Sequence, residues 1–239
     1  MNMFPDYETY LTMFQEHGYA IDALTGDTLQ PDKTLYMRHD IDFDCELALG
    51  MAEIEAKLGV RSTYFLMLTS DSYNLFSEKN ASSVEKIKAL GHKISIHFDA
   101  VRYEDFEAGL KKEVSAFEDF FEVDVDLISL HRPNEFFLSH DQTIAGVQHT
   151  YQSKYLKEIK YVADSRGSFR FGPPEETEAF AEGKSIHLLI HPIWWMFPAA
   201  TPQASLDDYT LWRLGTFQSH IEANCNTYAA SDSSLVVGR

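Results

Sequence analysis

The chain has 239 residues, 44% of them apolar and 13% aromatic, enough for a sizeable core in one large domain. Lys and Arg number 20 against 37 Asp and Glu, and the formal charge of −17 argues against nucleic acid and membrane surface as partners. The start, Met1-Asn2-Met3-Phe4-Pro5-Asp6, has neither the basic nor the apolar stretch of a secretory signal, no apolar run approaches the roughly 20 residues of a membrane span, and the expected location is cytoplasmic.

Residues 1–30 are read as a peripheral N-terminal helix. The first short apolar run, 35–38, reads as a buried strand. A helix over 45–58 follows, with Leu47, Met51, Ile54 and Leu58 at helical spacing and Gly59 closing it. The second strand is expected at 62–68. Ser82-Ser83-Val84-Glu85 has the form of a capping box and predicts a helix that Gly91 ends. Strand three is expected at 93–97, and a helix over 103–121 puts Phe106, Leu110, Val114, Phe117 and Phe121 on one face. Strand four is expected at 125–130, five at 160–163 and six at 186–190. The stretches 134–155 and 165–176 read as loops, the second containing Gly167, Gly172, Pro173 and Pro174. A last helix spans 202–223, with Pro202 in its first turn. The Ser-rich end, 229–239, is expected to be a peripheral, disordered tail. Cys45 and Cys225 lie outside any CxxC pair and are expected to be buried free thiols.

Strands alternating with helices imply parallel βα units, and continuous apolar strands imply a sheet covered on both faces. A barrel and an open sheet both satisfy this. Neither GxGxxG nor GxxxxGK[ST] occurs, so the nucleotide-binding versions of the open sheet lose support.

Polar residues recur just past the carboxyl ends of the expected strands. They are Arg38-His39-Asp40-Ile41-Asp42, Ile96-His97-Phe98-Asp99, His131-Arg132-Pro133, Asp164-Ser165-Arg166-Gly167 and His191-Pro192. Parallel βα folds collect their strand ends on one face, so these groups should converge. Imidazoles and carboxylates together are the ligand mixture that Zn2+ and similar metals prefer. Each residue also has a plainer reading. Asp40 and Asp42 could cap the following helix, but Asp44 already fills that role. His97 could be a core histidine, Asp164 a turn residue, and Arg132 a loop anchor. Trp194 and Trp195 could stack on sugar rings or close the barrel, one facing each way. Tyr73 and Asn74 lie in the loop after the second strand, where they could touch substrate. His17, His92, His140, His149, His187 and His220 have no partner pattern and read as structural or surface residues.

The chain resembles the polysaccharide deacetylase (NodB-like) superfamily over residues 34 to about 195. Asp40-Ile41-Asp42 is similar to the paired aspartates of its first motif, and His97 to a metal histidine of the second. Arg132-Pro133 resembles the third motif, Asp164 the fourth, and Leu188-Leu189-Ile190-His191 the LxxH of the fifth. The stretches RHDID, STYFLML, ISIHFD, SLHRP and LIHPIWW look like a divergent subgroup associated with bacterial surface-polysaccharide gene clusters. The resemblance implies a single-domain α/β fold, a distorted (β/α)7 barrel, with one divalent metal, usually zinc, and hydrolysis of an N-acetyl group on a sugar. Two departures stand out. Ile41 separates the two aspartates, which are normally adjacent, and position 101 is Val where HxxxH would supply a second histidine. His131 is the natural substitute, with His39 and Asp99 as weaker ones.

On this reading Asp42, His97 and His131 hold the metal, Asp40 is the base, and Arg132 keeps Asp40 ionised. His191, oriented by Asp164, is the acid. The exchange of Asp40 and Asp42 between base and ligand stays open. The expected substrate is an intracellular sugar precursor, nucleotide-linked or lipid-linked, and Arg38, Arg132 and Arg166 could form a basic pocket for it. A metal-dependent phosphoesterase and a non-catalytic sugar-binding protein are the rival readings.

Overall fold

The computed structural model describes residues 2–230. The chain opens with α1 (Tyr7–Glu16), β1 (Ala20–Ala23) and β2 (Thr34–Ile41), and continues with α2 (Cys45–Lys57), β3 (Thr63–Leu66), α3 (Glu78–Ala89), β4 (Lys93–Phe98), α4 (Phe106–Phe121) and β5 (Leu127–Leu130). Shorter pieces follow: α5 (Glu135–Ser139), β6 (Gln148–His149), α6 (Ser153–Leu156), β7 (Lys160–Ala163) and α7 (Glu178–Ala181). Then come β8 (Ile186–Ile190), α8 (Pro192–Met196) and α9 (Pro202–Asn224).

All strand pairings are parallel, in the order β6-β5-β4-β3-β2-β8-β7. β8 takes one edge of β2. On the other edge β1 pairs with the first half of β2 and β3 with the second, Ala20 opposite Thr34 and Thr63 opposite Arg38. The sheet curls into a half-barrel. The expectation of a (β/α)7 barrel is corrected in one respect: among the described residues no ladder joins the end strands β6 and β7, so the barrel is not closed. The cause is local. The stretch between β5 and β7 supplies a two-residue strand and short helical turns where a full βα unit would stand.

Side chains alternate across each strand, so odd and even positions meet different neighbours. The outward residues Leu35, Met37, Ile186, Leu188 and Ile190 pack with Tyr7, Tyr10, Leu11 and Phe14 of α1 and with Trp195. Ile41, Tyr64, Leu66, Ile94, Ile96 and Ile128 pack against α2, α3 and α4. The inner face has only a small apolar plug, Tyr36, Phe65, Leu127 and Tyr155. The rest of it is buried and mostly polar, including Arg38, Asp40, Ser95, His97, Ser129 and His187, with the apolar Leu189 beside Arg38.

The N-terminal segment is not peripheral as expected. Its helix is ten residues long and buries four of them, and Phe4 just ahead of the helix stacks on Trp195 at 4.7 Å between ring centroids. The capping box is also corrected. α3 begins at Glu78 after Ser77, and Ser83 lies inside the helix with its hydroxyl donating to the Lys79 carbonyl. α4 starts at Phe106 rather than 103, because Asp105 accepts the Ala108 amide and sets its first turn. Asp44 caps α2 through the Glu46 and Leu47 amides, which leaves Asp40 and Asp42 free. Both cysteines are free, but only Cys45 is buried; Cys225 is exposed. The expected tail at 229–239 lies, beyond residue 230, outside the described residues.

Candidate metal centre and catalytic groups

Alternation along β2 puts Arg38, Asp40 and Asp42 on one side and His39 on the other. His39 points away from the strand mouth and bonds through Nε2 to Glu55 of α2 at 2.7 Å, so it is no substitute ligand. In β4 and β5 the same alternation aligns His97, Ser129 and His131. The His131 amide donates to the Phe98 carbonyl at 2.8 Å and extends the ladder past the end of β5.

His97 Nε2 lies 3.1 Å from His131 Nδ1 and 3.2 Å from Asp42 Oδ1, and His131 Nδ1 lies 3.5 Å from the same oxygen. Asp42 Oδ1 is buried and has no aligned hydrogen-bond donor. Two ring nitrogens and an orphaned carboxylate oxygen therefore face one point, with all three within 4.8 Å of one another. Burial alone would raise the Asp42 carboxyl, but His131 and His97 outweigh it and hold it well below the usual carboxylate range. His97 Nδ1 is hydrogen-bonded with Ser129 Oγ at 2.6 Å, which fixes the ring and leaves Nε2 for the cluster. This donor set fits a divalent ion of the zinc type. The three residues brought together are those expected to hold a metal, drawn from three strand ends. Asp99, the other weaker substitute, stands outside the group and accepts from Arg132 instead.

Asp40 lies beside the cluster. Its expected partner Arg132 is a correction. The Arg132 side chain is 72% exposed and meets Asp99 at 3.2 Å, whereas Arg38, two residues before Asp40 on the same strand face, is fully buried. Arg38 Nε and Nη2 donate to the two Asp40 oxygens at 2.9 and 2.7 Å. Burial pushes the Asp40 carboxyl up, but Arg38, then His97, outweigh it and hold it at about 2. The guanidinium also lies over the rings of Phe65 and Tyr151, at 5.8 and 5.3 Å.

Pro192 cannot donate to a ladder and ends β8, leaving His191 at the mouth. Asp164 accepts from His191 Nδ1 at 2.6 Å, from its amide at 3.1 Å, and from Trp195 Nε1 at 2.9 Å. Burial lowers the His191 pKa, but Asp164, followed by Asp42 and Asp40, overcomes it and raises the ring to about 9. Its Nε2 is 3.9 Å from Asp42 Oδ2. Asp40, Asp42, His97, His131 and His191 line an open cavity of 300 Å³, with Trp194 in its wall and Arg132 and Arg166 among its lining.

The expected substrate residues divide. Trp194 lines the cavity and its Nε1–H is buried without a partner. Trp195 does not face it; its ring packs against Phe4, Tyr7 and Tyr10 and it positions Asp164. Tyr73 is buried, donating to the Ile41 carbonyl and accepting the Met67 amide, both at 2.8 Å, so it shapes the strand end. Asn74 is exposed and caps the Phe76 amide; neither residue lines the cavity. Sequence reasoning missed Ser129 and Tyr151. Ser129 had a readable signal, being two residues before His131 on the same strand face. No family model matches the chain, and no curated protein matches it in sequence.

Proposed function

We propose that this chain is a metal-dependent hydrolase of the polysaccharide deacetylase kind, removing the acetyl group from an N-acetylated sugar that serves as a cytoplasmic precursor of surface polysaccharide. One observation carries the reading. A three-ligand metal set, Asp42, His97 and His131, stands beside two acid–base groups held in opposite protonation states, Asp40 ionised and His191 protonated. The resemblance to the family and the convergence of its motif residues support it. A divalent ion held by the three ligands would acidify water and polarise the acyl carbonyl.

The chain's own groups then have defined work. Arg38 keeps Asp40 anionic and aimed, ready to take the proton from the attacking water. His191 gives its Nε2 proton to the leaving amine, and Asp164 keeps that acid charged and oriented through Nδ1. Trp194 offers an apolar wall and an unpaired N–H to the sugar. Val101, at the position of the missing motif histidine, is 65% exposed and could not replace it, and His131, beside His97 and Asp42, would supply the third ligand.

The test is acetate release from a panel of N-acetyl sugars with Zn2+, Co2+ or Mn2+. His191→Ala should lower kcat with KM little changed, by roughly 100-fold or more for loss of a general acid. Asp40→Asn should keep the metal and lose turnover; if Asp42→Asn keeps the metal instead, the two aspartates exchange roles. Phosphate release from a sugar phosphate without acetate would install the phosphoesterase reading. No product at all from metal-loaded protein would install the sugar-binding one.

A further inference from the structure

Around the cavity most charges have a counter-charge. Arg38 pairs with Asp40 at 2.7 Å and His191 with Asp164 at 2.6 Å. Two arginines of the lining differ. Arg132, after β5, touches Asp99 through Nη2 alone and stays 72% exposed. Arg166, after β7, is exposed and makes no ion pair among the described residues, in a chain with 37 Asp and Glu against 20 Lys and Arg.

Both residues hold left-handed backbone conformations, φ 48° at Arg132 and 62° at Arg166. That conformation costs free energy in a non-glycine residue and persists where the surroundings determine it. Around Arg166 they do. The backbone carbonyl of the buried Asp164, whose carboxylate holds His191, accepts the Gly167 amide at 2.9 Å. Gly167 itself has φ 77°, and a Cβ there would stand 2.8 Å from Pro202 and 3.4 Å from Trp194. The turn that orients the acid His191 therefore also sets where the Arg166 side chain leaves the backbone. Trp194, next to that turn, adds a buried N–H with no partner.

We infer that Arg166 and Arg132 form an anion subsite at the rim of the cavity, and that the sugar substrate carries a phosphoryl group there, as a sugar phosphate or nucleoside diphosphate sugar does. The inference rests on the reading that the cavity takes a sugar. A volume of 300 Å³ is at the small end of ligand sites, so one sugar ring fills it and the substituent lies outside, at the arginines. Guanidinium forks match phosphoryl oxygens in pairs; Arg38 is fully buried and committed to Asp40, and His191 is committed to Asp164, which leaves Arg132 and Arg166 for the anion.

The test is calorimetric titration of chelator-treated protein with N-acetylglucosamine, N-acetylglucosamine 1-phosphate and UDP-N-acetylglucosamine. A phosphorylated sugar should bind about tenfold or more tightly than the neutral one, the ratio that a charge-assisted hydrogen bond supplies. The double variant Arg132→Gln/Arg166→Gln should lose that ratio; if it fails to fold, Arg166→Gln alone is read the same way. Preference for both phosphorylated sugars supports a single phosphate, and preference for the nucleotide alone supports a diphosphate. Equal affinities, no binding of either phosphorylated sugar, or a variant that keeps the ratio overturns the subsite. Binding is read without metal or turnover, so the two readings fail separately. Arginine-dependent preference without acetate release ends the deacetylase reading alone. Acetate release with equal affinities ends the subsite alone.

Discussion

Glu55 is fully buried on α2 and accepts from Tyr7 at 2.5 Å, from Tyr64 at 2.7 Å and from the Ser62 hydroxyl, with His39 Nε2 at 2.7 Å. It ties α1, α2, β2 and β3 together on the outer side of the strand that carries Arg38, Asp40 and Asp42. Burial raises its carboxyl pKa, but His39 and then His92 outweigh this and hold it at about 2. A depressed folded-state value means that its stabilisation is complete above the unfolded pKa of about 4.3 and is lost as pH falls through about 2. The wild type should therefore lose stability between those values. Glu55→Gln should be about 3 kcal/mol less stable at pH 7, since it leaves buried partners uncompensated, and should show a flatter acid limb. Urea midpoints measured from pH 6 to pH 2 check this; parallel curves for the two proteins would remove Glu55 from the acid transition. Arg38 teaches the complementary lesson about what a sequence reveals. RHDID displays Arg38 two residues from Asp40, and period-two alternation puts them on one strand face, so their pairing was readable. Arg132 suggests itself as the partner because it follows a strand end, where a buried arginine needs a carboxylate. Whether a strand-end arginine points inward depends on the turn after it, and Arg132 is left-handed at φ 48°.

At the scale of elements, the long apolar strands and the helices with one apolar face were legible because burial on both sides of a parallel sheet leaves unbroken apolar runs. β2, β4, β7 and β8 fall where those runs stand. β1, which contains Asp22, and β6, only two residues long, have too little pattern to see. Ser82-Ser83-Val84-Glu85 misled because capping chemistry is not restricted to helix starts; Ser83 instead bonds back to Lys79 within α3. The turn at 164–167 opens the stretch expected as a loop, 165–176, and its geometry was not readable, since it lies against Pro202 at the start of α9, distant in sequence. That contact makes a prediction. Gly167→Ala must place a Cβ 2.8–2.9 Å from the Pro202 ring at φ 77°. The ring is not the free end of a flexible side chain, so the loop or α9 has to move. The variant should lose about 1–3 kcal/mol, and a melting temperature equal to wild type would show that the turn is slack.

For the whole molecule, the open side of the half-barrel matters less than which strands the candidate metal ligands come from. Asp42 follows β2, His97 lies in β4 and His131 follows β5, with β3 between β2 and β4 in the sheet. An ion shared by them would tie together the end of the sheet toward β6, the edge with the shortest strand. Binding to the folded state alone stabilises by mass action, about 2.7 kcal/mol at a hundredfold excess over Kd, or about 5–10 °C in a chain of this size. Zn2+ should therefore raise the melting temperature of chelator-treated protein by that amount. His131→Ala should abolish the rise and change the metal-free melting temperature little, because its side chain is 17% exposed and its loss opens to solvent. His191→Ala should retain the rise, since His191 faces the cluster without belonging to it. A zinc shift that survives His131→Ala but disappears with His191→Ala would move the ligand role from β5 to β8. The acid would then have to be sought among the other groups of the cavity.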